Sequence, residues 1–241
     1  MPMDPGRGLE RCVKSLLEVF ERSSRVLEES QWFPSDPGST RWWGGVETPL
    51  EIIVTAILVK LSRWKTALTA LENMKQRGLL DLPRLSRSSI DEIAEAIRGV
   101  GFVRSKAWTL IAISRYIESI GGIEALKNMD TAIARKELLR IDGIGRETAD
   151  SILLFALNKP VFPVTRLSLR VLRRYCGEDA GDYSNVGERI EESLERDLYK
   201  LKLLHAGLTS IASRYCRNSK PLCGSCLLRD RCSYGSSGQV G

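Results

Sequence analysis

The sequence predicts an all-α protein, and three observations carry that prediction. Apolar residues recur at helical spacing along most of the chain, capping residues stand where those runs begin, and no stretch alternates as a half-buried strand would. Asp130 heads a run carrying Ile133, Ala134 and Leu138, and Ala149, Ile152, Leu153 and Ala156 recur at i, i+3, i+4 and i+7. Between the two runs, in LLRIDGIGRETADSI (residues 138–152), Gly143 and Gly145 flank Ile144. The glycines allow a sharp bend while the isoleucine pins it to the core, so the arrangement reads as helix, glycine hairpin, helix. N–H groups at the start of the second helix would form a small positive concavity suited to one anion such as a phosphate. A lone G-x-G more often marks an ordinary helix–helix turn, so the motif needs a second, independent clue.

The other elements follow the same logic. Thr48-Pro49-Leu50-Glu51 has the form of a capping box with proline at the first helical position. The run from Leu50 to Leu61 should therefore be a buried helix, although IIVTAILV alone would also suit a buried strand. Trp64, Ala67, Leu68, Leu71 and Met74 give a further helix stopped by Gly78. Ser88 or Ser89 caps one carrying Ile93, Ala94 and Ile97, and Arg104 to Ile117 adds another.

With 241 residues and 43% hydrophobic content, the chain can build one large or two medium domains. Its formal charge of +6 suits a polyanionic partner without requiring one. No segment reaches the roughly 18 consecutive apolar residues of a membrane span, so the expectation is a soluble intracellular protein, cytoplasmic or nucleoid-associated, acting as a monomer. The Gly/Ser-rich stretch 235–241 reads as a flexible tail.

Four of the six cysteines, Cys216, Cys223, Cys226 and Cys232, crowd into one short C-terminal stretch with the spacing C-x6-C-x2-C-x5-C. Without a secretory signal disulfides are not expected, and a zinc ribbon usually presents two C-x-x-C pairs where this run has one. Four thiolates on one loop suit a [4Fe–4S] cluster, its negative charge tolerated beside Arg217, Lys220, Arg229 and Arg231; zinc is the alternative. Cys12 and Cys176 lie outside this spacing and read as plain core thiols.

Hairpin and cysteine run together resemble the endonuclease III superfamily of DNA glycosylases. The likeness extends from about Trp42 to Cys232 through WWGGVETPLEIIVTAIL, GFVRSKAWTL, IDGIGRETADSILLFALNKPVF and LLHAGLTSIASRYC, and is greatest to the endonuclease III-related branch that includes 3-methyladenine glycosylases. The resemblance implies two helical domains, 48–160 with the helix-hairpin-helix, and 1–47 with 161–234 carrying the cluster loop. It also implies that the hairpin, through Gly143, Ile144, Gly145, Arg146 and Thr148, holds the backbone of double-stranded DNA while a damaged nucleotide is flipped into a pocket. Arg217 and Lys220 would add phosphate contacts. Hairpin N–H groups read no base identity, so specificity is left to that pocket.

The chemistry departs from the family at three positions. A family aspartate in a V-D-x-x-x-x-R pattern stabilises the sugar cation, but the matching stretch here, Val164 to Arg170, has Thr165 in its place. The lysine nucleophile of bifunctional members corresponds to Glu147, which argues against the usual lyase route. The branch's glutamine corresponds to Lys60, open to three readings: a phosphate contact, which is preferred, a displaced amine nucleophile, or a solvated lysine. Trp42 and Trp43 match a tryptophan pair that could stack a flipped base or seal the domains. His205, the only histidine, reads as structural or as a site residue. Glu47, Glu51 and Asp150 could replace the missing carboxylate, though Glu51 and Asp150 are better explained as acids at helix N-termini.

The function expected is therefore a DNA-repair enzyme that excises a damaged, alkylated base by N-glycosidic cleavage. The alternatives are a non-catalytic lesion- or structure-binding protein and an abasic-site lyase using Lys60.

Overall fold

A computed structural model describes residues 5–177 and 183–236. Its helices are α1 (Pro5–Glu21), α2 (Ser24–Glu28), α3 (Pro49–Leu58), α4 (Trp64–Gln76), α5 (Leu82–Arg87), α6 (Ile90–Ala96), α7 (Val103–Ser119), α8 (Ile123–Asn128), α9 (Thr131–Leu139), α10 (Arg146–Ser151), α11 (Arg166–Cys176), α12 (Tyr183–Ser193), α13 (Leu198–Arg214) and α14 (Ser233–Ser236). Among the described residues the all-α expectation holds, with a single isolated bridge between Trp32 and Trp43. None of the described helices is long and apolar enough to cross a membrane.

The chain divides into two compact units, Val46–Lys159 and Met1–Gly45 with Pro160–Gly241. In the first, every residue of α3 from Leu50 to Leu58 is buried, as its all-round apolarity dictates. Thr48 Oγ1 accepts from Glu51 N, while the Glu51 carboxylate accepts from Glu47 N, one residue before the cap. α7 packs against α3, α5 and α6, and a π-helical turn, Ile152–Ala156, extends α10 and packs on α3.

The predicted extension of α3 to Leu61 is not observed. The helix ends at Leu58, and Leu61 is 84% exposed with φ +52°. There the backbone turns, with Ser62 N donating to Val59 O, and the Lys106 ammonium donates to the Leu58 and Lys60 carbonyls, which lie at the helix end where internal partners run out.

In the second unit α13 packs against α1, α2 and α11. Gly207 lets the Phe20 ring lie on the α13 backbone, where an added Cβ would be 2.2 Å from that ring. Leu9, Val13, Leu16 and Phe20 form the buried stripe of α1, each such side chain contributing about 1.5–3 kcal/mol. Cys12 and Cys176 are not free core thiols but a disulfide with 164 residues of sequence separation, tying α1 to the last residue of α11. Their pairing reflects the return of the chain, which brings two remote helices side by side. Of the stretch expected to be a flexible tail, Gly235 and Ser236 belong to α14, and 237–241 lie outside the described residues.

Candidate functional site

The hairpin is built between α9 and α10. Asp130 Oδ1 caps α9, accepting from Ala132 N at 2.9 Å and Ile133 N at 3.2 Å. Ile144 is buried, as its place between two glycines predicts, and Gly143 has φ +90°. Gly145 is the N-cap of α10 and has no side chain to close it; α2, α4, α7 and α8 also begin without a side-chain cap, whereas α3, α5, α6 and α9 begin on capping side chains. A helix start of this kind suits an acceptor from outside. Arg146 and Glu147 are exposed beside it, but Thr148 is buried and presents its side chain to the interior.

Two lysines and a threonine hold this turn in place. Lys60 Nζ donates to Gly143 O at 2.5 Å. Lys106, 6% exposed, donates to Leu58 O at 2.7 Å, Lys60 O at 2.7 Å and Ser62 Oγ at 2.9 Å. Burial and the Lys60 charge lower its pKa to about 8, and the three acceptors use all three ammonium protons. One helical turn on, Thr109 Oγ1 lies 2.9 Å from Asp142 O and 3.0 Å from Ser105 O, with one proton for the two carbonyls. Beside Lys60, Leu61 and Phe102 are strongly exposed, and both adopt left-handed backbone, with φ +52° and +56°. Their loops touch, since Gly101 N donates to Ser62 Oγ. Sequence reasoning missed Lys106, Thr109, Leu61 and Phe102. Only Lys106 left a signal, a charge in register with Leu110, Ile113 and Ile117 on the buried stripe of α7.

In the other unit Thr165 is the N-cap of α11. Its Oγ1 accepts from Ser168 N at 2.9 Å, and Ser168 Oγ accepts from Thr165 N at 2.8 Å, a complete capping box. The four clustered cysteines line one cleft of about 370 Å³, including its open mouth, walled by Val171, Tyr175, Ile211 and Leu228. Arg170 Nε donates to Cys216 O at 2.7 Å; Arg174 donates to Arg217 O at 2.6 Å and Asn218 O at 2.9 Å, and lies 3.4 Å from Cys216 Sγ. These two arginines of α11 clasp the loop. Of the four basic residues read beside the cluster, Arg231 instead pairs with Glu18, and Arg217, Lys220 and Arg229 are exposed. Burial pushes the Cys226 thiol up to about 11, and burial then the neighbouring thiols raise Cys223. Among the described residues, no three His, Cys, Asp or Glu side chains are placed to hold a single metal ion.

Residues 54–196 match the family model of the HhH-GPD superfamily base excision DNA repair proteins. The chain belongs to that superfamily. Among its HhH-GPD relatives, a Methanocaldococcus jannaschii protein named "Putative DNA repair glycosylase" is 36% identical over 81% of this chain and 90% of its own. Endonuclease III of Sulfolobus acidocaldarius is 30% identical over 76% and 80%. In fold, the chain is similar to Helicobacter pylori 3-methyladenine DNA glycosylase solved with 1,N6-ethenoadenine. That likeness has a TM-score of 0.69 at 23% identity, covering 86% of this chain and 97% of that one.

The carboxylates that could replace an aspartate in this HhH-GPD chain are all engaged. Glu47 and Glu51 share Lys75 at 3.0 and 3.6 Å. Asp150, 3% exposed, pairs with Arg135 at 2.6 Å across α9 and α10. Burial raises its pKa despite that partner. Trp42 and Trp43 are buried: Trp42 Nε1 donates to Asp36 O, its ring meets Tyr199 edge-on, and Trp43 meets Trp32 likewise. His205 is buried against Trp32 and Phe162 with Nδ1 3.3 Å from Pro163 O, and burial lowers its pKa to about 4, so it is neutral at physiological pH.

Proposed function

We propose that this chain binds duplex DNA through the hairpin and excises an alkylated, cationic base by N-glycosidic cleavage, without cutting the strand. The observation that carries the reading is the uncapped start of α10 beside the Lys60 ammonium, a ready acceptor of one backbone phosphate. Leu61 and Phe102, exposed and apolar beside it, suit insertion between bases once the duplex opens. The Thr165 hydroxyl is closed into its capping box and carries no charge, and Glu47, Glu51 and Asp150 are paired. A base that already bears positive charge leaves with less help, which suits such a protein. The lyase reading is weakened because Lys60 is tied to Gly143 O.

The four cysteines fit a [4Fe–4S] cluster: they line one cleft that has no His, Asp or Glu in its described lining, and Arg174 stands beside them. The cluster's contribution would be structural, ordering the loop that bears Arg217 and Lys220; Arg170 and Arg174 orient that loop by its carbonyls. Thiols raised by burial ionise when such a group compensates their charge. Iron and acid-labile sulfide in protein prepared without oxygen, both lost in Cys223→Ser, support this, and zinc alone would refute it.

Labelled duplexes carrying alkylated, oxidised, deaminated or abasic sites test the function. Alkali-dependent cleavage of the alkylated strand is expected. Cleavage without alkali would transfer the function to the lyase, and tight binding without product across the panel would leave only lesion binding.

A further inference from the structure

Three hydrogen bonds close a ring around the hairpin. Lys106 on α7 holds Lys60 O, the Lys60 side chain holds Gly143 O, the peptide chain steps back to Asp142 O, and Thr109 returns the ring to α7, with Ser62 Oγ as a further tether from Lys106. Gly143 lies so close to Thr109 that an added Cβ would be 2.1 Å from Oγ1. Lys106 and Thr109 are three residues apart on one face of a 17-residue helix, so they move as one body. Neither is required on structural grounds alone. A buried ammonium here could have been a leucine, with the α3 carbonyls left to water or a tighter turn.

We infer that Lys106 and Thr109 are positioning residues for DNA binding, fixing the hairpin and the Lys60 ammonium in the mutual geometry that one backbone phosphate requires. The inference rests on the hairpin's proposed role as the DNA-binding element. Lys60 is the contact, Thr109 sets the height of the turn, and Lys106 sets where the Lys60 backbone sits, so losing either support displaces the contact without touching it. Because the ring is closed, the effects of opening it at two places should overlap.

Thr109→Val keeps shape and removes the hydroxyl, Thr109→Ser restores it, and Lys106→Met removes the ammonium while keeping the stem. Affinity for an undamaged duplex, measured across a salt series, should fall about tenfold in Thr109→Val and Lys106→Met, with the salt slope lower by about one phosphate. Thr109→Ser should bind within about twofold of the parent. The double variant Thr109→Val/Lys106→Met should be little worse than either single change. Amide exchange in the DNA-free proteins provides a second readout: residues 142–147 should exchange faster in both variants, with α13 unchanged. Parent-like binding and exchange in Thr109→Val and Lys106→Met would overturn the inference, as would a Thr109→Ser variant as weak as Thr109→Val. A parent protein that fails to bind duplex DNA would overturn the hairpin's proposed role instead, and the exchange data would still decide whether the ring holds the turn.

Discussion

The two hairpin glycines should respond in opposite ways to the same added methyl group. At Gly143 alanine meets two costs. The φ of +90° is left-handed, costing about 1–2 kcal/mol for a side chain, and the new Cβ would lie 2.1 Å from Thr109 Oγ1. Thr109 must rotate away, losing its bond to Asp142 O, worth about 1 kcal/mol. Gly143→Ala should therefore destabilise the 46–159 unit by roughly 2–3 kcal/mol, a fall in Tm of about 10 °C for a unit of this size. At Gly145, φ is −94° and no atom lies within 4 Å of an added Cβ, so alanine should change stability by less than about 0.5 kcal/mol. There the methyl occupies the space a phosphate would approach, and duplex affinity should drop about tenfold. Calorimetry and a fluorescence binding assay measure the two effects separately. A Gly143→Ala protein melting within 2 °C of the parent, or a Gly145→Ala protein that melts far lower, would refute the reasoning.

Three further outcomes follow from packing and charge. Replacing Cys12 or Cys176 by serine opens a closure spanning 164 residues, for which chain entropy allows a loss of up to about 5 kcal/mol; reductant should lower the parent's stability to that of Cys12→Ser, and equal stability of oxidised and reduced parent would contradict it. His205 is held neutral with its pKa lowered to about 4, so the unfolded chain takes up a proton first as pH falls; about 3 kcal/mol should be lost between pH 6.5 and 4, and urea titrations of His205→Gln should lack that loss. Asp150→Asn weakens the hydrogen bond to the half-exposed Arg135 guanidinium and should cost about 1 kcal/mol, seen as faster amide exchange in α9 and α10; unchanged exchange there would count against a clasp between those helices.

Local chemistry was readable in the sequence and long-range geometry was not. Thr48, Ser89 and Asp130 cap the helices they were expected to cap, because a cap needs only its own next three residues. The hairpin was legible for the same reason, with Ile144 buried between its glycines. The end of α3 was misplaced because the sequence stays largely apolar through Leu61 while the backbone turns left-handed there, and Lys106, which takes up the carbonyls at that end, lies 48 residues beyond Leu58. Leu61 and Phe102 left no signal, since their left-handed backbone is imposed by neighbouring loops and bulky residues do not favour it. Cys12 and Cys176 are each unremarkable in sequence, and only the packing of α1 against α11 makes them partners. The cysteine run announced its cleft by spacing, whereas Arg170 and Arg174, which hold the loop, look like ordinary helix charges.

Because α1 packs on α11, α12 and α13, its apolar stripe is synthesised long before its partners. About 190 residues separate the end of α1 from the end of α13. At roughly 5–20 residues per second on the ribosome, Leu9, Val13, Leu16 and Phe20 wait some 10–40 s for cover, while the whole 46–159 unit emerges and can fold. The nascent chain therefore carries an amphipathic helix whose apolar stripe waits for cover while a whole domain is completed behind it. Shortening that wait by circular permutation, so that α1 follows α14, should reduce aggregation during expression without altering the folded protein.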